Sequence, residues 1–231
     1  MRLPYDLCNI QRNIEIKSNY KRVYLITEGT RTEPNFLKDL LKHSDYFKDR
    51  NDLQFTYIRR SGNDFGKNRL SQMVDCAKEE MKKRKKYLND SIFIIFFDLD
   101  IYINNLDEVE NTIKENQNIY FAYTSPAFEL FLLLCNENAY EKYIKPNETL
   151  IFENNRDESS KKRYVHQLLL NVTGVDSKKG DLSRFTSFLK NAIEEENHIS
   201  HSLKDADKML VSNVGLILRL LKDDLLHEIA Y

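Results

Sequence analysis

Short apolar runs alternate with amphipathic stretches along the first part of the chain, and this alternation predicts its elements. Val23 to Thr27 is β-branched and apolar, a strand, and from Glu33 to Phe47 the residues Phe36, Leu37, Leu40 and Leu41 mark one side of a helix. Phe55 to Ile58 reads as a second strand, followed by a loop around Ser61-Gly62-Asn63 and a long polar helix ending in "KEEMKKRKK". Ile92 to Phe97 is the strongest strand, because six consecutive apolar residues bounded by polar ones suit a strand covered on both faces. Asn104 to Asn116 reads as a helix and Ile119 to Tyr123 as a strand, with Ser125 as N-cap and Pro126 as first residue of the next helix. Four strands alternating with helices predict an α/β fold with a mainly parallel four-stranded sheet flanked by helices.

Past Pro146 the strand signal fades, and Ser159 to Leu170, Leu182 to Glu196 and Leu203 to Leu225 read as helices. Leu203, Ala206, Leu210, Val214, Ile217, Leu221 and Leu225 follow steps of three and four, a stripe that would pack on the core or meet a partner. The expectation is a core over residues 1–145 and a helical C-terminal extension over 146–231 packed on it.

Charge narrows the function. With 31% charged residues but a net charge of -1, the 231-residue chain is no general nucleic-acid coater, so any such contact must be local. No apolar run approaches the roughly 20 residues of a membrane span. Three widely spaced cysteines, Cys8, Cys76 and Cys135, fit a reducing cytoplasm better than a disulfide framework.

Candidate chemistry lies where two strands end. Glu28-Gly29 closes the first, and Asp98-Leu99-Asp100 closes the third. Ligands of parallel sheets gather outside the carboxyl ends of the strands, where both clusters fall. Asp98 and Asp100 would share a side while the chain stays extended, and clustered hard oxygen donors suit Mg²⁺ or Mn²⁺. Gly29 would leave room for a phosphate, and Glu33 could join the metal ligands or serve only the helix dipole. Glu129, in the apolar stretch "SPAFELFLLLC", needs a cation, a metal or hydrogen-bond donors, and is read as part of the site or as another dipole partner.

These motifs resemble a known pattern. Glu-Gly after the first strand and Asp-x-Asp after the third are similar to the Toprim module of topoisomerases, primases and overcoming-lysogenization-defect nucleases. More closely, "YLITEGTRTEPNFL", "SPAFELFLLL" and "VSNVGLILRLL" resemble the RloB-like family of bacterial defence proteins, over most of residues 22–221. The resemblance implies a Toprim-like fold with Glu28, Asp98 and Asp100 as the acidic site, a role in anti-phage or abortive-infection defence, and an ATPase partner. The chain departs from the family at Cys135, where relatives commonly carry His, and at Phe131, where Trp is usual. That departure bears on catalysis if the His takes part.

Basic residues supply the other half of a phosphate site. Arg31, the Arg59-Arg60 pair after the second strand, and Lys178-Lys179, which resembles the family's basic position after a glycine, are the candidates for nucleic-acid contact. Lys161-Lys162-Arg163 and the run Lys82 to Lys86 could also neutralise phosphates, although a lysine-rich helix end is commonly a solvated face. His198 and His201 lack a third ligand for zinc, and no phosphate-loop motif for ATP is present. The expected activity is a Mg²⁺- or Mn²⁺-dependent nuclease of RNA or DNA with Glu28, Asp98, Asp100 and Glu129 as its acids, active in the cytoplasm with room for self-association. The alternative is a non-catalytic Toprim-like subunit that binds nucleic acid or regulates an ATPase, and primer synthesis is a third option without a visible template-binding region.

Overall fold

The computed structural model describes residues 20–58, 69–229 and 231. Arg59, Arg60 and the expected loop at 61–63 lie outside them. The first part follows the expected alternation: β1 (Lys21–Thr27), α1 (Thr32–His43), β2 (Leu53–Tyr57), α2 (Leu70–Lys83), β3 (Ser91–Asp98), α3 (Leu106–Glu115), β4 (Tyr120–Ser125) and α4 (Glu129–Leu134). Then come α5 (Glu148–Glu153), α6 (Tyr164–Thr173), α7 (Ser183–Ser187), α8 (Leu189–Glu195), β5 (Val211–Ser212) and α9 (Val214–Asp223).

The sheet has five strands in the order β2-β1-β3-β4-β5, rather than four, with β1 to β4 parallel and β5 antiparallel to β4. Successive side chains leave a strand on opposite faces, and the core divides accordingly. Tyr24, Ile26, Phe93, Ile95 and Phe97 pack with Met73, Val74 and Ala77 of α2 and Val109 and Ile113 of α3. Val23, Leu25, Ile94 and Phe96 pack on the other face with α1, α4 and the helices after residue 146. Both faces are covered, as the continuous apolar run of β3 predicts.

From β1 the chain turns outward to β2, whereas from β3 it turns the opposite way to β4. The direction of winding therefore reverses between β1 and β3. At such a switch point the loops diverge and leave a crevice at the carboxyl ends of the strands.

Several expected boundaries move, each for a visible reason. Ser125 does not cap a helix: it pairs with Val211 of β5, its peptide bond to Pro126 is cis, and α4 starts at Glu129. Helix α1 stops at His43 because Ser44 turns its hydroxyl to local use, accepting from the Tyr46 N–H and donating to the Thr186 carbonyl. That claim on the Thr186 carbonyl accompanies the break at Phe188 that splits the expected helix Leu182 to Glu196 into α7 and α8. The segment before α6 is a tight loop and no helix, because Asp157 gathers the N–H groups of Ser159 and Ser160 and its main chain pairs with that of Lys162.

The largest departure is Leu203 to Leu225. One helix was expected, but Leu203, Ala206 and Val211 join the core on the α2 face while Leu210, Val214, Ile217 and Leu221 join the other. The chain passes around the edge of the sheet between them. Asn213 fixes the crossing: its Oδ1 accepts from Tyr123 N–H at 2.7 Å and its Nδ2 donates to the Phe121 carbonyl at 3.0 Å. The Ser212-Asn213-Val214 motif is thus a clasp on β4.

Candidate acidic and basic cleft

Glu28 follows β1 directly and Asp98 ends β3, so they flank the switch point, and Asp98 N–H donates to Glu28 Oε2 at 3.0 Å. Asp98 lies in phase with Ile94 and Phe96, on the face of α1 and α4. Those are the helices whose first turns carry Glu33 and Glu129, and the charges of Glu28, Glu33 and Glu129 all act on Asp98 there. Each is oriented by a donor: Thr124 Oγ1 gives a 2.7 Å bond to Asp98, Gly29 N–H a 3.0 Å bond to Glu33, and Ser177 Oγ a 2.7 Å bond to Glu129. Gly29 makes room for a side chain of the protein itself. The Glu33 carboxylate folds over it, and any Cβ there would collide with that group.

Repulsion in this cluster is reflected in Asp98, whose carboxyl is pushed well above the ordinary value by burial, then by Glu33, Glu129 and Glu28, against the Thr124 bond. Asp100 faces elsewhere. The chain turns after Asp98, and Asp100 Oδ2 lies 3.0 Å from the guanidinium of Arg163; burial raises its carboxyl while Arg163 opposes the shift.

All these acids line one cleft of about 600 Å³, whose other wall is basic: Arg31, Arg156, Lys161, Lys162, Arg163, Lys178 and Lys179. The candidate acids Glu28, Glu33, Asp98, Asp100 and Glu129 and the candidate cations Arg31, Lys161, Lys162, Arg163, Lys178 and Lys179 therefore converge here. Of the run at Lys82 to Lys86, the residues Lys82 to Lys85 do not line the cleft; Lys83 and Arg84 pair with Glu80 instead. Cys135 and Phe131 are core residues outside the cleft, so the departures from the family pattern fall in packing positions.

Arg156, His166 and Asp176 were not legible as site residues. Asp176 ties the basic wall together, since His166 Nε2 and Lys162 Nζ each lie 3.1 Å from its carboxylate and Lys178 N–H donates to it. Burial works to raise Asp176, but these partners outweigh it and hold its pKa at about 2. His166 and Asp176 are ten positions apart, which is no helix spacing, so only folding joins them.

Among the described residues no three His, Cys, Asp or Glu side chains converge as a ready set of metal ligands. The donor chemistry nevertheless fits a hard dication: Glu28, Glu33, Asp98 and Glu129 offer oxygens, and like charges stay apart until a cation neutralises them.

Glu129→Gln tests this crowding. Gln retains an acceptor for Ser177 and removes one charge from Asp98's surroundings, so the metal-free melting temperature should hold or rise. A fall equivalent to about 0.3–1 kcal/mol would mark a purely dipolar role.

The fold and site define an α/β protein with an acidic and basic cleft at the switch point of a mostly parallel sheet. The family model for RloB-like protein matches residues 23–221, and the chain belongs to the RloB-like family. No curated protein and no solved structure gives a significant match. Among the described residues no helix is long and apolar enough to cross a membrane.

Proposed function

We propose that this chain is a metal-dependent nuclease built on a Toprim-like module. The carrying observation is the single cleft in which acids from β1, β3, α1 and α4 face a basic wall. A nucleic acid needs both halves: cations to neutralise phosphates, and hard oxygen donors to hold a dication at the bond that breaks. Glu28, Asp98 and Glu129, with Glu33 and Asp100 beside them, would hold Mg²⁺ or Mn²⁺. When bound, the dication would act as a Lewis acid toward the phosphoryl group and offset the charge developing there.

The chain's own residues do the rest. Arg31, Lys161, Lys178 and Lys179 are exposed along the cleft, where they would contact phosphates on either side of the reacting one. Arg163 bridges the halves through Asp100 and sets the loop at 156–163 against the end of β3. A role in anti-phage defence beside an ATPase is supported by the family resemblance, and a cytoplasmic place by the three widely spaced cysteines.

The test is direct. Purified protein, alone and with the ATPase encoded beside it if one is present, should cleave single-stranded RNA or DNA in Mg²⁺ or Mn²⁺ and stop when the metal is chelated. If it cleaves neither, while still binding oligonucleotide with a steep salt dependence, the non-catalytic binding subunit becomes the better reading.

A further inference from the structure

Resting on the nuclease reading, we infer that His166 is the proton donor to the departing oxygen of the cleaved phosphodiester. His166 is the cleft's sole imidazole among the described residues, and it sits on α6 only 6% exposed. Its neighbours on the basic wall are arginines and lysines, whose fixed positive charge suits phosphate neutralisation.

The pairing with Asp176 settles which ring nitrogen exchanges. Asp176 is ionised, held so by Lys162, the Lys178 N–H and His166, and an ionised carboxylate only accepts. Nε2 therefore carries a hydrogen in both ring states, and Nδ1 is the position that gains and loses one. A clip between α6 and the loop would not require an imidazole, since Lys162 and the Lys178 N–H already hold Asp176.

The ring also stands beside the acids. Asp176 bonds His166, and the next residue, Ser177, bonds Glu129 at 2.7 Å, so one peptide unit separates the histidine's anchor from the acidic floor. His166 thus lines the same cleft as Glu28, Asp98 and Glu129.

In the step, a water oxygen bonds to phosphorus as the bond from phosphorus to the bridging oxygen breaks, and that bond's electron pair stays on the departing oxygen. His166 Nδ1 gives its proton to that oxygen, so an alcohol leaves. The attacking water releases a proton to solvent, and the ring takes one back from solvent.

A sulfur substitution tests this. An RNA or DNA oligonucleotide that the wild type cleaves is made again with sulfur in place of the departing bridging oxygen, because a thiolate leaves without being protonated. His166→Gln should slow cleavage of the oxygen substrate by about 10²-fold and of the sulfur substrate by less than about threefold. Equal slowing of both substrates would show a structural role, and no slowing of either would remove His166 from the reaction; each overturns the inference while the nuclease reading stands. A wild type that cleaves neither substrate overturns both. If melting curves show that His166→Gln is unfolded, His166→Asn is compared in the same way.

Discussion

Asp98→Asn is expected to lower metal-dependent cleavage by at least about 10³-fold while leaving the metal-free protein as stable as the wild type or more so. Asn keeps the shape and an acceptor for the Thr124 hydroxyl, which donates to Asp98 at 2.7 Å, and removes only the charge. Losing about 4 kcal/mol of the charge stabilisation that a dication supplies to a phosphoryl transition state is a factor of about 10³. Stability moves the other way because the Asp98 carboxyl is raised by burial and by Glu33, Glu129 and Glu28. A folded-state pKa raised above the unfolded one means stability that is full below the ordinary carboxylate range and is lost as pH climbs through the raised value. The Asn variant lacks that loss, so metal-free melting curves should diverge in its favour as pH rises. Cleavage within a few-fold of wild type would place the chemistry away from Asp98.

Glu196→Ala is expected to be the most damaging removal of a buried charged group outside the cleft, lowering stability by about 3 kcal/mol. Glu196 is 1% exposed, and its carboxylate accepts from Ser212 Oγ at 2.5 Å, Gly215 N–H at 2.9 Å and Leu216 N–H at 2.8 Å. It serves the N-terminus of α9 from a distant part of the chain, and Gly215 admits it because a Cβ there would press on the carboxylate. Each buried donor left unpaired costs about 1–3 kcal/mol, offset in part by relief from burying the acid. For a chain of this size that is a fall in Tm of about 6–12 °C. The sign of the pH dependence follows from the pKa, which burial pushes up to about 7 against the bonds from Ser212, Gly215 and Leu216. The acid's contribution is full below its unfolded value of 4.5 and lost as pH rises through 7, so the deficit of the variant should narrow between pH 5 and pH 8. A deficit below about 1 kcal/mol at pH 5 would show that water replaces the carboxylate.

Local pattern was enough for the strands that make the site. Apolar runs at β1 and β3 each end in acids, and a parallel sheet sends such ends to one edge, so Glu28 and Asp98 were legible as partners before any coordinates. Glu129 was legible for another reason: a carboxylate in an apolar helix needs a partner, and Ser177 and the cleft supply one. His166 and Asp176 were not, because nothing in a histidine among leucines or an aspartate in a loop signals the other. Gly29 was legible as a necessary glycine, but its occupant is the Glu33 carboxylate.

The same division separates the two halves of the fold. The alternation of elements from β1 to α4 follows from short-range rules, because the period of two in strands and that of three to four in helices act within a few positions. The C-terminal part obeys partners far away in the chain. Leu203 to Leu225 carries a helical stripe, yet Asn213 bonds main-chain groups of Phe121 and Tyr123, and Glu196 waits at the start of α9. Those long-range bonds, with apolar residues claimed by both faces of the sheet, outweigh the few tenths of a kcal/mol per residue that helix propensity supplies. The amino-acid order thus sufficed for the parallel strands, their acidic edge and most of the cations, while the closing of those cations onto that edge, the fifth strand and the His166–Asp176 pair exist only through tertiary contacts, which local periodicity does not encode.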